Sequence, residues 1–368
     1  MINPRKIILL DLHYTLVPEG EYGLAVDEAV NVFINQAKAS GKIDESFDVE
    51  KFKDTKVFSE IKAAHIKFLA DDWDNRIFNH ENAPSLLALM GNDAEKYEAA
   101  RKKAIEVRNN HSENYSRNNI YNGVEDFIRS AREEGHTVYI VTDTNRTGTE
   151  PQVKALGLDG KVDGVYCCPS APEAMVQVSR LENTKVFEFT QGSYKPDPRI
   201  VGNILLNYAK EKNLVADDLK FKDVFELHQL PNIPHGCNKY IGRKLSVKDS
   251  SHKELFTNLL ANTIGFGDDY RDHLLFNNAG VVCVKAVYGE ESKKNSNGNK
   301  DKRSHEILDK ISGWSTERLK LLGYLKINNL AEELRVVDHE CKTITELKDI
   351  LSLSHAEIKN LDNQKGIK

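Results

Sequence analysis

The sequence has few of the features that mark membrane, disulfide-rich secreted or nucleic-acid-binding proteins. No apolar run approaches the roughly 20 residues of a membrane-spanning helix, and the apolar residues 7–10 are too few for a signal peptide. The five cysteines are odd in number and form no Cys-x-x-Cys pair, which favours a reducing compartment. A net charge of −5 offers no basic surplus for a nucleic-acid polymer. We therefore expect a cytoplasmic protein that binds neither membranes nor nucleic-acid polymers.

What the sequence does contain is an apolar run at its start that ends on a carboxylate. Residues 7–10 are all Ile or Leu, and Asp11 follows them. A continuous apolar run is typical of a strand buried on both faces, and ligands of an open parallel sheet bind beyond the carboxyl ends of its strands. Taken alone, Asp11 is either such a ligand-binding residue or a cap for the next turn.

Later segments repeat this pattern in alternation with helices. Apolar, strand-like runs occur at residues 137–143, 164–168 and 279–284, and helical patterns occur at 124–135 and about 150–156. This alternation predicts an α/β fold, a parallel sheet covered by helices on both faces. We also expect a last edge strand at 334–338.

The segment after the first strand has a different character. From about residue 24 to 117 apolar residues recur at helical spacing, which predicts a small helical domain at residues 17–117. The main domain then comprises residues 1–16 and 118–351, followed by a C-terminal tail at 352–368. Two stretches without clear periodicity, at about 219–249 and 290–321, are expected to be insertions in it, and the first of them to be irregular.

Polar groups follow the predicted strands at points that would lie together. These groups are Asp11, Thr142, Lys195 in a proline-bounded loop, and the acidic cluster of Asp268, Asp269 and Asp272. A carboxylate can attack phosphorus and form an aspartyl-phosphate. Mg²⁺ usually takes one or two carboxylates together with water and substrate oxygens. Asp11 and Asp268 would supply that pair, while Thr142 and Lys195 would hold the phosphoryl oxygens.

Four segments, in order, resemble the motifs of the haloacid dehalogenase-like (HAD) hydrolase superfamily. They are residues 7–16, 138–142, 195–198 and 267–272, and the flanking residues 121–124 and 155–158 are similar as well. The resemblance implies a Rossmann-like core, with the helical segment after the first strand acting as a cap that closes over the active site. Substrate specificity would then lie in the cap.

The resemblance also implies a role for each site residue. Asp11 would be the nucleophile, and Lys195 would lower the charge repulsion that Asp11 meets. The Mg²⁺ ligands would be Asp11, the backbone carbonyl of His13 and Asp268, with Asp269 or Asp272 supporting the metal or orienting Lys195. The substrate-binding group would be Thr15, Thr142, Asp143 and Lys195, although Asp143 can equally be a turn cap.

One position departs from the superfamily's pattern. Phosphatases of this superfamily usually carry a second Asp two residues after the nucleophile, as acid and base, and here that residue is His13. An imidazole titrates near neutrality and can perform the same proton transfers. The alternative is that only the backbone carbonyl of His13 matters.

These observations leave three functions open. The intact acidic cluster favours a Mg²⁺-dependent phosphatase of a small phosphorylated metabolite or nucleotide. The second is a metal-independent dehalogenase or a phosphonatase-type hydrolase. The third, suggested by His13, is a catalytically weakened protein that binds phosphorylated ligands.

Overall fold

A parallel sheet with a strand at each predicted apolar run is the centre of the fold. The computed structural model describes residues 5–18, 22–48, 51, 84–169, 181–190, 193–229, 243–248, 250–268, 270–288 and 337–364. Its strands are β1 (Ile7–Leu10), β2 (Thr137–Asn145), β3 (Gly164–Cys168), β4 (Val186–Glu188), β5 (Phe225–Gln229), β6 (Arg243–Val247), β7 (Thr263–Gly267), β8 (Val282–Ala286) and β9 (His339–Cys341).

Seven of these strands form one sheet in the order β4-β3-β2-β1-β7-β8-β9, and every neighbouring pair is parallel. The first strand is the central one. Leu10 pairs with Ile140 of β2 on one side and with Phe266 of β7 on the other. The strand order therefore reverses direction beside β1, which is where an open sheet of this kind binds its ligands.

Helices cover both faces of the sheet. In the described ranges they are α1 (Tyr22–Ala39), α2 (Pro84–Leu89), α3 (Ala94–Asn118), α4 (Val124–Glu133), α5 (Arg146–Ala155), α6 (Arg199–Glu211), α7 (Phe221–Val224), α8 (Lys253–Ala261), α9 (Tyr270–Ala279), α10 (Glu346–Ile350) and α11 (His355–Gln364). The predicted α/β, Rossmann-like fold is confirmed. Among these helices none is long and apolar enough to cross a membrane.

Alternation along β1 divides the core of the sheet into two layers. Ile7 and Leu9 belong to the layer that includes residues of α6, α8 and α9, and Ile8 and Leu10 belong to the layer with α4, α5, α10 and α11. All four side chains are buried. Because successive side chains of a strand point to opposite faces, the next residue, Asp11, continues on the side of α6 and α9.

The helices α1 to α3 have an apolar cluster of their own. Its buried members are Ala29, Val30, Phe33, Ile34, Ala37, Leu86, Met90, Tyr97, Ala100 and Ala104. This cluster lies within the segment 17–117 that we predict to be a cap. Residues 19–21, 49–50 and 52–83 of that segment lie outside the described residues, and the domain boundaries stay predictions.

The expectation of an irregular stretch at 219–249 is wrong for the residues that the structure describes. Strands β5 and β6 pair antiparallel, from Phe225 opposite Val247 to Gln229 opposite Arg243, as a separate two-stranded sheet. Phe225 and Leu245 are buried in the layer of α6. The strands were missed because each has only five residues, too few to establish a period beside the intervening prolines and glycine. Residues 290–321 lie outside the described part of the chain.

The edge strand also differs from the prediction. The described strand is β9, which begins at His339, while residues 334–336 of the predicted strand are not described. Asp338 still contacts the neighbouring strand, because its backbone N–H donates to the Cys283 carbonyl at 2.8 Å and its carboxylate accepts the Cys283 N–H at 2.9 Å. In the predicted C-terminal tail, helix α11 buries Ile358 against the sheet.

Gly265, in the middle of β7, allows helix α9 to approach the sheet. A Cβ atom at this position would lie 2.1 Å from Cγ of the buried Phe276. We expect Gly265→Ala to lower the free energy of unfolding by about 1–3 kcal/mol, the usual cost of overpacking a core. Chemical denaturation measures this change. The double variant Gly265→Ala/Phe276→Leu should recover part of this loss. If the two substitutions changed the free energy of unfolding by strictly additive amounts, the close contact between positions 265 and 276 would be contradicted.

His136, which is buried at the start of β2, predicts a loss of stability in acid. Its Nδ1 accepts the backbone N–H of Lys6 at 3.0 Å. Burial lowers the pKa of His136 below its ordinary value, with Lys6 adding to that effect and Glu134 opposing it. The unfolded chain therefore takes up the proton first, and stability falls as the pH drops through and below about 6.5. Unfolding curves at about pH 7.5 and 5.5 should show a smaller difference for His136→Asn than for the unchanged protein.

Candidate active site

Asp11 lies at the carboxyl end of the central strand. Its backbone N–H donates to the Phe266 carbonyl at 2.9 Å, which continues the pairing of β1 with β7 by one residue. The side chain is 7% exposed. The position of Asp11 is therefore fixed by strands on both sides, as the sequence predicts for a carboxylate at the strand end.

A tight turn after Asp11 brings Thr15 back to the same place. Leu16 and Val17 both donate to the Leu12 carbonyl, and Tyr14 has a left-handed φ of 57°. The buried Thr15 hydroxyl lies 3.3 Å from Asp11 Oδ2 and 3.4 Å from Asp268 Oδ1. A hydroxyl has one hydrogen to donate, so Thr15 satisfies one of these two carboxylate oxygens at a time.

Lys195 enters the site from the loop before α6, and its ammonium lies between two carboxylates. Nζ is 2.5 Å from Asp11 Oδ1 and 2.6 Å from Asp272 Oδ1. All three side chains are at least nine-tenths buried. Burial alone would lower the pKa of Lys195, but the carboxylates of Asp11, Asp272 and Asp143 outweigh it and hold that pKa above its ordinary value. Lys195 is a permanent cation at the side of Asp11.

Three carboxylates meet at this point. Oxygens of Asp11, Asp268 and Asp272 all lie within 4.8 Å of one another. Asp268 follows β7 directly, and Asp272 lies in the first turn of α9. Gly267 permits the close approach of Asp272, since a Cβ atom there would lie 2.6 Å from Cβ of Asp272.

The chemistry of this set of donors fits a hard divalent cation. Asp11, Asp143, Asp268 and Asp272 carry four formal negative charges, and the cations in contact with them are Lys195 and Arg271. Among these contacts, the carboxylates outnumber the cations by two. Mg²⁺ prefers oxygen ligands and one or two carboxylates, and its charge would balance the excess.

Asp143 connects the site residues to one another. Its Oδ1 accepts the backbone N–H of Lys195 at 2.9 Å, and its Oδ2 accepts from Arg271 Nη1 at 3.1 Å. Burial raises the pKa of Asp143, while Arg271 and Lys195 oppose that rise. Both oxygens are engaged by protein groups, so the contacts favour a structural role at this position. Binding of substrate by Asp143 stays a prediction.

For the remaining predicted site residues, Thr142, His13 and Asp269, the structure gives fewer contacts or none. Thr142 is buried in the second half of β2, and its Oγ1 accepts the Thr144 backbone N–H at 3.2 Å, which leaves the Thr142 hydrogen available to donate. His13 is half-buried in the turn after Asp11 and bridges to Val17. Asp269 lies outside the described residues. The roles of Thr142, His13 and Asp269 stay predictions.

Sequence reasoning gave no role to two residues that the fold brings to the site. Arg271 lies within the fourth motif. A cation so close in sequence to the carboxylates of Asp268 and Asp272 could have indicated a charge partner for the acidic residues of the site. Tyr288 follows β8, and its hydroxyl donates to the Thr15 carbonyl at 2.6 Å. The Tyr288 ring contacts Tyr121 edge to face, with centroids 5.0 Å apart. Nothing in the local sequence indicates that contact, because Thr15 and Tyr288 are 273 residues apart.

Comparison with known proteins yields structural likenesses only. No protein-family model and no curated protein matches the sequence. Among solved structures, the chain is similar to a Bacillus subtilis protein described as a HAD-hydrolase and bound to magnesium, with 12% identity, 95% of this chain and 99% of that one covered, and a TM-score of 0.39.

A 2-haloacid dehalogenase from Pseudomonas syringae is also similar, at 13% identity with 95% and 99% coverage and a TM-score of 0.44. A Thermotoga maritima protein described as a β-phosphoglucomutase is similar at 13% identity, with 94% of this chain and 99% of that one covered and a TM-score of 0.43. These names fall in the superfamily that the four motifs resemble. At such identities and TM-scores, the activity has to be inferred from the site itself.

The Lys195 ion pairs predict a large effect of removing the ammonium. Lys195→Met would leave Asp11 and Asp272 buried without their shared cation, and breaking a buried ion pair in this way usually costs about 3–5 kcal/mol. We expect that loss in the free energy of unfolding, measured by urea denaturation without divalent ions. The matched control is Lys185→Met, because Lys185 pairs with Glu211 at the surface and such pairs contribute about 0–1 kcal/mol. Equal losses of unfolding free energy in the two variants would contradict the assignment of Lys195 as the buried cation between Asp11 and Asp272.

Proposed function

We propose that this protein is a HAD-type, Mg²⁺-dependent phosphatase that acts on a small phosphorylated metabolite or nucleotide through an aspartyl-phosphate at Asp11. The observation that carries the proposal is the arrangement around Asp11. Its carboxylate contacts the Lys195 ammonium at 2.5 Å and lies in a cluster with Asp268 and Asp272. A nucleophile, a fixed cation and an oxygen-lined cation site are what phosphoryl transfer requires of a protein.

In the first step an Asp11 oxygen attacks phosphorus, and the bond from phosphorus to the leaving oxygen breaks. Attack brings one anion to another, so the Lys195 ammonium next to Asp11 reduces the repulsion between them. Thr142 would donate its hydroxyl hydrogen to a phosphoryl oxygen, and Thr15 would keep Asp11 oriented. Asp11, Asp268 and Asp272 would hold Mg²⁺, with the predicted backbone carbonyl of His13, and the bound ion supplies positive charge for the phosphoryl oxygens.

Proton transfers accompany both halves of the reaction. The leaving oxygen takes a proton in the first step, and the water that hydrolyses the aspartyl-phosphate loses one in the second. We assign both transfers to His13, two residues after the nucleophile, because an imidazole can donate and accept protons near neutral pH. The helices of residues 17–117 would cover the site and contact the rest of the substrate. The reaction would take place in the cytoplasm.

Asp11→Asn removes the nucleophile while keeping the shape of the side chain. We expect it to reduce phosphate release from an aryl phosphate ester by more than about 10⁴-fold, as loss of a nucleophile does elsewhere, and EDTA to abolish the activity of the unchanged protein. The matched control is Asp126→Asn, an exposed carboxylate on α4, which should retain full activity. A colorimetric phosphate assay with and without MgCl₂ measures both effects.

The other functions give different results in the same assay. Metal-independent halide release from a haloacid, or cleavage of a phosphonate, would replace the proposal by the second function. Thermal stabilisation by phosphorylated metabolites without any phosphate release would support a binding protein. An Asp11→Asn variant with full activity would refute the assignment of the nucleophile.

A further inference from the structure

The Asp143 carboxylate joins three chain segments that carry site residues. It extends from the last third of β2, one residue after Thr142. One of its oxygens binds the backbone N–H of Lys195 and the other binds Arg271, the neighbour of Asp272 in the first turn of α9. These contacts link β2, the Lys195 loop and α9 at the rim of the site.

The negative charge of Asp143 also acts on the Lys195 ammonium, because it is one of the three carboxylate charges that raise the pKa of Lys195. Nζ of Lys195 already lies at 2.5 Å from Asp11 and 2.6 Å from Asp272. The Asp143 side chain is 16% exposed, so water screens its charge weakly. The cation in contact with it from the outer side is Arg271, whose side chain is 45% exposed. Without that guanidinium, the Asp143 charge would attract the Lys195 ammonium away from Asp11.

We propose that Arg271 is a positioning residue for the phosphoryl transfer at Asp11. Its guanidinium neutralises Asp143, so that Asp143 can anchor the backbone of Lys195 without competing with Asp11 for the Lys195 ammonium. This inference rests on the proposed function for its consequence in catalysis. The geometric part is that Arg271 keeps the Lys195 ammonium in contact with the Asp11 carboxylate, and it can be measured without catalytic turnover.

A rescue experiment tests the consequence for turnover. We expect Arg271→Met to reduce kcat by about 10- to 100-fold, as loss of a supporting partner around a metal site does, with KM unchanged. Arg271→Lys should keep much of the activity. In Arg271→Met/Asp143→Asn the amide oxygen can still accept the Lys195 N–H but carries no charge, so kcat should return to the level of Asp143→Asn alone. A rise in KM with unchanged kcat, or no rescue, would overturn the proposal and indicate that Arg271 binds the substrate.

Amine labelling tests the geometric part. In the unchanged protein Lys195 is 3% exposed and held by two carboxylates, so an acylating reagent followed by peptide mass spectrometry should modify it slowly. Arg271→Met should raise its labelling rate, because an ammonium attracted toward Asp143 leaves the buried pair with Asp11 and Asp272 and becomes more accessible to the reagent, and the double variant should lower it again. Arg129→Met, which removes an exposed arginine on α4, is the matched control and should leave the rate unchanged.

The two measurements separate this inference from the proposed function. Absence of phosphate release from the unchanged protein refutes the phosphatase, and the labelling pattern then decides whether Arg271 positions Lys195. Labelling of Lys195 at the same rate in Arg271→Met and in the unchanged protein overturns the inference even if phosphate is released. Circular dichroism of each variant confirms that it is folded when labelled.

Discussion

The contact on which the site depends is the Lys195 ammonium between Asp11 and Asp272. Two carboxylates within a few ångströms of each other and buried from water repel strongly, and each would be costly to ionise alone. The shared cation offsets this cost and fixes both side chains at once. Together with Asp268, these carboxylates form a buried group whose oxygens could hold a metal ion. The same charges that the proposed phosphoryl transfer would use therefore determine how the site is held together.

The parallel sheet makes that contact possible. Asp11 and Asp268 directly follow β1 and β7, and Thr142 lies in the second half of β2, so the three residues lie toward the same edge of one continuous parallel set. Lys195 then comes from the loop before α6 and Asp272 from the first turn of α9, and both helices pack on the face toward which Asp11 points. Glycine at 265 and 267 brings α9 close enough for Asp272 to reach the ammonium. Packing in the core and geometry in the site thus depend on the same helix.

Several elements show how far sequence patterns reach. Residues 7–10 predict a buried central strand because four consecutive apolar residues admit few other structures, and the structure agrees. The strands at 225–229 and 243–247 were missed, since five residues with mixed polarity resemble a loop until the partner strand is known. The predicted group of Asp11, Lys195, Asp268 and Asp272 does come together. The contact of Asp143 with the Lys195 backbone, and that of Tyr288 with Thr15, had no local signal.

The sequence by itself determined the class of fold and the chemical types at the strand ends, because hydrophobic periodicity and strand-end carboxylates are local properties of the chain. The tertiary structure alone decided which of these charged groups pair with one another. Asp272 rather than Asp268 contacts Lys195, Asp143 turns toward the Lys195 backbone, and Arg271 lies on its outer side. These pairings join residues as much as 128 positions apart in the sequence, and contacts between such distant residues are set by the packing of helices on the sheet. Asp11, placed by its own strand, acquires its partners only from that packing.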